Sequence, residues 1–307
     1  MKDNERFDPT PLSLLPDAQF LAATPLSGGL TNRCWKLSLY HPSTQSSADY
    51  VWRPLTQSAY MFGVNRQHEY QLLQAIAESG IAPKPYSLLP PSSSMNEQVL
   101  IVEWLEGKQA ADDVSDTELC QLQAQIHALP LPLPEHRLEV KQRLSFYWQH
   151  IPEQFKSIQL VAIHHYFQAQ SLPQYFSDTC CHFDLGRYNI IVPSDHQSIA
   201  QSEQPRLTVI DWEYAAAGDP SLDLAMTIIA NDLDLERAVI DYCRARLQHD
   251  DTFVVNPEHW LEAVNAWQPW CEYLALLWYL VGYQVWGDEE YLYQANRLEQ
   301  KLASLVN

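Results

Sequence analysis

The chain has 307 residues, 46% hydrophobic and 19% charged, a globular rather than disordered composition with room for two domains or one large one. Its 38 acidic and 19 basic residues leave a formal net charge of −19, which argues against nucleic-acid and anionic-membrane partners and is compatible with a cationic ligand. Six scattered cysteines form no CxxC pair, and the charged start MKDNERFDPTP lacks a signal peptide's apolar run, so the expected location is the reducing cytoplasm.

The first hundred residues read as a small strand-rich unit. Leu26 to Asn32, LSGGLTN, is a glycine-containing turn able to present backbone N–H groups to phosphates, with Ser27, Gly28, Gly29 and Asn32 as candidates. It matches neither G-x-G-x-x-G nor the P-loop pattern. CWKLSLY alternates apolar and polar residues at strand period, YVWRPL is a second short strand, and EQVLIVEWLEG a third. Between the last two, NRQHEYQLLQAIAESG has helical spacing and ends on Gly80. PPSSS at 90–94 reads as a turn between strands.

After Gly107 the character changes to helix. Ser115 and Glu118 form a capping box that opens a helix running to about Leu129, where LPLPLP stops it. Helical segments follow near 138–150, 155–170, 221–230, 235–248 and 257–302, interrupted by two short strands. CEYLALLWYLVGYQVW, residues 271–286, is 16 residues long and carries Glu272 and Gln284. A membrane span takes roughly 20 residues, so this stretch reads as the buried centre of a helical domain. Strand-rich followed by helix-rich predicts an α+β chain of two lobes, 1–106 and 107–307.

The chemistry concentrates in HFDLGRYNII, residues 182–191. His182, Asp184 and Asn189 fit H-x-D-L-x-x-x-N, the catalytic-loop pattern of phosphotransferases. An aspartate there accepts the proton of an attacking hydroxyl, and an asparagine five residues on holds a magnesium ion beside the same phosphate. A capped turn before a strand would use the same residue types. Asp211, ending the strand RLTVID, supplies the second metal-binding acid the pattern asks for. Arg53 on YVWRPL and Glu69 on the following helix match the cation and acid that anchor nucleotide phosphates. A surface strand cation and a solvated helix face are the bland readings of that pair. Zinc held by Cys180, Cys181, His182 and Asp184 is disfavoured because adjacent cysteines share a tetrahedral site poorly. Neither H-E-x-x-H nor G-x-S-x-G occurs. Asp219 before Pro220 is a helix cap, and Asp223 is either a brace for the loop or a first-turn acid.

LSGGLTN, HFDLGRYNIIV and IDWEYAAAGDPSLDLA together resemble the aminoglycoside phosphotransferase and choline kinase superfamily. The IDWEYA stretch and the Trp-rich C-terminus are most similar to its thiamine kinase branch. The resemblance implies a protein-kinase-like fold with a small β-rich N-lobe and a larger helical C-lobe, using ATP and Mg²⁺ to phosphorylate a small-molecule hydroxyl. It implies Asp184 as catalytic base, Asn189 and Asp211 as metal ligands, and Arg53 with Glu69 as the phosphate-anchoring pair. Glu103, Trp104 and Leu105 would be the adenine-contacting hinge, with His182, Asp219 and Asp223 in support. The loop departs from the usual His-Gly-Asp-Leu-His-Pro-Gly-Asn: Phe183 replaces a small residue and Gly186-Arg187-Tyr188 replaces the middle. Gly186 stands where protein kinases carry a lysine, which favours a small-molecule acceptor. That acceptor is expected to be a cationic alcohol, thiamine before choline or ethanolamine, held by Trp270, Tyr273 and Trp286 with Glu213 as the negative partner. The alternatives are an aminoglycoside or amino-sugar phosphotransferase, and a catalytically silent nucleotide-binding module.

Overall fold

A computed structural model describes residues 7–26, 34–91, 97–110, 113–194, 207–250 and 252–306. Strand alternation builds the first lobe. β1 (Gln19–Pro25), β2 (Trp35–His41), β3 (Ser46–Pro54), β4 (Pro85–Leu89) and β5 (Val99–Glu103) form an antiparallel sheet in the order β1-β2-β3-β5-β4. β5 is buried on both faces. Val99 and Ile101 join Leu37, Leu39 and Trp52 in a small outer core, whereas Leu100 and Val102 join the main core. Arg53 lies opposite Leu100 across the β3–β5 pair, so its side chain shares the inner face. That face is covered by α2 (Arg66–Ile76), which follows the short α1 (Gln57–Met61); the Asn65 side chain caps α2 by accepting from the Gln67 and His68 N–H groups.

The remainder is mostly helical. α3 (Asp116–His127) opens on the expected Ser115–Glu118 capping box. α4 (Val140–His150), α5 (Ile158–Ala169), α6 (Pro220–Ala230), α7 (Leu235–Arg246), α8 (Pro257–Trp286) and α9 (Glu289–Leu302) complete the lobe. The 257–302 segment, expected as one helical stretch, is broken in two. Gly287 takes φ 66° at the end of α8, and Asp288 then caps α9 by accepting from the Glu290 N–H. No helix of the described residues is long and apolar enough to cross a membrane.

Two small ladders at the lobe junction position the site. β6 (Gly107–Gln109), β8 (Ile190–Pro193) and β9 (Thr208–Val209) form one; β7 (Thr179–Cys181) and β10 (Ala216–Gly218) form the other. β7 runs into the His182 loop, β8 leaves it, and β9 ends just before Asp211. The two half-motifs separated in sequence are therefore hydrogen-bonded neighbours.

Candidate active site

The loop owes its shape to a buried carboxylate beneath it. Asp223, in the first turn of α6, is fully buried and accepts from the His182 N–H at 2.9 Å and the Phe183 N–H at 2.7 Å. Phe183 sits in the left-handed region at φ 60°, unusual for a residue with a side chain, and these two bonds hold it there. Asp223 also accepts from the Gln123 amide at 2.7 Å and the His127 Nε2–H at 3.0 Å. With Nε2–H directed at the carboxylate, His127 Nδ1 is left to accept from the Tyr242 hydroxyl at 2.7 Å. Burial works against charge on Asp223, but its donors, His127 first, hold its carboxyl below the usual range. Asp219 caps α6 by accepting from the Ser221 N–H.

His182 joins the two half-motifs. Its Nδ1 accepts from the Asp184 N–H at 3.3 Å and its Nε2–H donates to the Ile210 carbonyl at 3.1 Å, while its ring meets Trp212 edge-on. Burial lowers its pKa, so it stays the neutral ring this pairing requires. Asn189 adds a second tie, its carbonyl accepting from the Ile210 N–H at 2.8 Å.

Asp184 is half-buried, with both oxygens engaged. Oδ1 accepts from the Tyr188 hydroxyl at 2.7 Å and Oδ2 from the Asn189 side-chain amide at 3.0 Å. Burial raises its pKa to about 7; the Tyr188 hydrogen bond opposes the rise and the neighbouring Asp211 and Glu213 charges add to it. A carboxylate poised there suits general-base work near neutrality.

Asp211 stands across from it, also left-handed at φ 64°. Two non-glycine residues in this conformation, one beside each half-motif, is the strain that active sites concentrate. Asp211 pairs with the Arg53 guanidinium, whose Nη2 also lies 3.2 Å from Glu69 and 3.4 Å from Glu213. Arg66, wholly buried, pairs with Glu69 and lies 3.2 Å from Glu213. Two guanidinium groups and three carboxylates thus share one pocket. Burial opposes charge on Asp211, yet Arg53 holds its carboxyl below the usual range; Glu213 is pushed up by burial and by Asp211. Sequence reasoning missed Arg66, although its spacing of three from Glu69 on one helix was a signal.

Glu213, expected at the acceptor, is engaged by Arg53 and Arg66. Trp270 and Tyr273, also expected at the acceptor, lie in the core. Both are buried and pack on Phe167, Tyr273 stacked at 4.4 Å and Trp270 edge-on at 5.0 Å, because α8 turns that face into the core. Trp286 stacks on Phe62 at 5.0 Å. Glu272, on the same helix, pairs with Lys301 at 2.6 Å. The aromatic group that reaches the loop is another. Tyr188 donates its hydroxyl to Asp184, while the Tyr214 hydroxyl accepts from the Trp278 indole at 3.3 Å and Trp278 meets Tyr279 edge-on at 5.4 Å.

Glu103, Trp104 and Leu105 leave the end of β5 and lead into β6. Trp104 N–H donates to the Asp49 carbonyl at 3.1 Å, and Lys36 lies over the Trp104 ring. Ser27, Gly28, Gly29 and Asn32 lie outside the described residues. Among the described residues, His127, Cys181 and Asp223 also converge closely enough to hold a metal. Their histidine and carboxylate atoms are already engaged within the brace, whereas Asn189 and Asp211 offer the hard oxygen donors that would suit magnesium.

The sequence of residues 23–262 matches the model of the phosphotransferase enzyme family. The chain belongs to that family. It is a phosphotransferase with an alcohol group as acceptor, in a kinase-like two-lobed α+β fold. It is 24% identical to a thiamine kinase of Escherichia coli O157:H7 over 77% of this chain and 74% of that one. To a Protein LicA homolog of Mycoplasma capricolum it is 25% identical over 56% of this chain and 63% of that one, less than two thirds of the relative's length. Among solved structures, choline kinase LicA from Streptococcus pneumoniae aligns with 96% of this chain and 97% of its own at 17% identity and a TM-score of 0.63. LicA in complex with AMP aligns with 95% and 96%, at 18% and 0.65.

Proposed function

We propose that the enzyme transfers the γ-phosphoryl group of ATP to the hydroxyl of a small cationic alcohol, with thiamine first and choline or ethanolamine second. The observation that carries the reading is the meeting of Asp184 and Asn189, on the loop between β7 and β8, with Asp211, just past β9, beside the Arg53–Glu69 pair. Residues 1–106 would hold the nucleotide and 107–307 the acceptor. In this reading the acceptor hydroxyl donates its proton to Asp184 Oδ1 as its oxygen bonds to the γ-phosphorus, and the bond from that phosphorus to ADP breaks. Asn189 and Asp211 would hold Mg²⁺, which when bound offsets the charge of the phosphates. Arg53, oriented by Glu69, supplies positive charge to the same phosphates.

A net charge of −19, aromatic groups around the loop and the thiamine and choline kinase relatives support a cationic acceptor. A thiazolium or quaternary ammonium is held by aromatic faces, worth ~0.5–2 kcal/mol each, and Tyr188, Tyr214, Trp278 and Tyr279 replace the core residues in that role. The test is ATP consumption with magnesium across thiamine, choline, ethanolamine, an aminoglycoside and a neutral sugar. Thiamine should give the highest kcat/KM; a neutral sugar turned over as well as any cation sinks the reading.

A further inference from the structure

The loop's departure from its relatives places an aromatic residue on the catalytic carboxylate. Tyr188 donates its hydroxyl to Asp184 Oδ1 at 2.7 Å while Asn189 occupies Oδ2. The phenol oxygen therefore stands where the acceptor's hydroxyl oxygen has to stand for proton transfer. The ring reaches that position by folding back over Gly186: a Cβ on Gly186 would overlap Cε1 and Cζ of Tyr188. Gly186 has φ −103° and ψ 158°, an ordinary extended conformation. Its lack of a side chain serves the ring and not the backbone.

The surrounding chain is fixed and the ring is not. The Gln109 amide donates to the Tyr188 carbonyl at 2.9 Å, and Arg187 donates its N–H to Asn231 at 3.0 Å and its Nε–H to the Val114 carbonyl at 2.9 Å. Tyr188 itself is 49% exposed. A rotation of its side chain uncovers Asp184 without moving the loop.

We propose that Tyr188 is a built-in stand-in for the acceptor hydroxyl, capping the base in the acceptor-free enzyme and yielding to the acceptor. The cap keeps water off Asp184 when ATP is bound alone, and so suppresses hydrolysis of ATP. Once displaced, the ring lies beside the acceptor as one of its aromatic walls. Desolvation and the Asp184 charge push the phenol's own pKa up, so it remains a neutral donor through the working range. The inference rests on Asp184 being the base, which the controls test separately.

The experiment measures ATP hydrolysis with magnesium and no acceptor. Tyr188→Ala removes the cap. Gly186→Ala, compatible with the backbone there, expels the ring while keeping it in the protein. Both should raise acceptor-free hydrolysis about tenfold, the lower end of what losing one hydrogen bond to a charged group corresponds to. Asp184→Asn added to either alanine variant should abolish the extra hydrolysis. Wild-type hydrolysis rates in both alanine variants overturn the cap. So does an intact mass showing a phosphate on Tyr188 after incubation with ATP, since the phenol would then be an acceptor. Transfer to thiamine that survives Asp184→Asn removes the base itself, and the proposed mechanism with it.

Discussion

Asp223→Asn separates the positioning of the loop from its chemistry. The wild-type carboxylate is fully buried and accepts four hydrogen bonds, three at Oδ2 from His182 N–H, Gln123 and His127, and one at Oδ1 from Phe183 N–H. Asparagine fits the same space but keeps one acceptor. Its oxygen serves best at the three-donor side, which turns its NH₂ toward the Phe183 N–H and leaves that donor buried without a partner. An unsatisfied buried donor costs ~1–3 kcal/mol, and three bonds that were charge-assisted become neutral. The expected loss of stability is about 3 kcal/mol, read as the change in denaturation midpoint multiplied by the m-value. The freed N–H belongs to the residue before Asp184, so kcat should fall while KM for ATP changes little. The pH dependence has a definite sign. A carboxyl held below its ordinary value near 3.8 contributes stability that is present above that value and lost as pH falls through the lower folded one. The wild-type advantage over Asp223→Asn should therefore shrink in acid. A variant within ~0.5 kcal/mol of wild type at pH 7 would refute the brace.

Gly218→Ala should cost ~1–3 kcal/mol, because its Cβ would stand 2.6 Å from Phe183 Cζ; Phe183→Leu in the same chain should recover part of that in a thermal melt. Asp184→Asn should lower kcat ~10²–10⁴-fold with nucleotide binding retained by calorimetry. The wild-type kcat/KM should rise as pH passes through about 7, where Asp184 loses its proton; an acid limb near pH 4 speaks against the assignment. Arg66→Met leaves Arg53 as the one guanidinium facing Glu69, Asp211 and Glu213 in that buried cluster and should cost ~3–5 kcal/mol in urea unfolding, an estimate that fails if the midpoint stays put.

How much of this was legible depends on how much local pattern each part carries. β2, β3 and β5 announce themselves because one or both faces are buried, and burial forces either alternation or an apolar run. β1 does not, since most of its residues are exposed and exposure imposes no pattern. β7 and β10 are three residues long, too short to show a period at all. The α8–α9 break was visible as Gly287-Asp288, a helix stop followed by a cap, but helix-forming sequence on either side masks it. Among site residues, Asp184, Asn189 and Asp211 stand at positions their chemistry dictates. The ion cluster is legible only in part: the Arg66–Glu69 spacing on one helix hints at a pair, but the joining of a strand, a helix and a distant turn through Arg53 and Glu213 has no signature in any one segment. At Trp270 and Tyr273 aromatic richness suggests a ligand wall, while the helix packs both rings into the core.

The two departures in the catalytic loop are compensated, and each compensation is a glycine. Phe183 takes a left-handed conformation where relatives carry a small residue, and its ring finds room because position 218, next to the cap of α6, has no side chain. Tyr188 places a bulky ring where relatives carry glycine, and it fits because Gly186 has exchanged size with it, two residues earlier. Neither glycine has a positive φ, so neither is explained by its own backbone. Both are explained by the ring they accommodate. The same loop geometry thus survives with its bulk redistributed: one ring packed under the loop, the other laid over its catalytic face. Only the second is exposed enough to move, so the redistribution puts a movable group on Asp184 and a fixed one behind it. A substitution that restores the common pattern at one position alone breaks the match, whereas paired substitutions at 183 and 218, or at 186 and 188, keep it. Non-additivity within each pair and additivity between the two pairs is the energetic signature this arrangement demands.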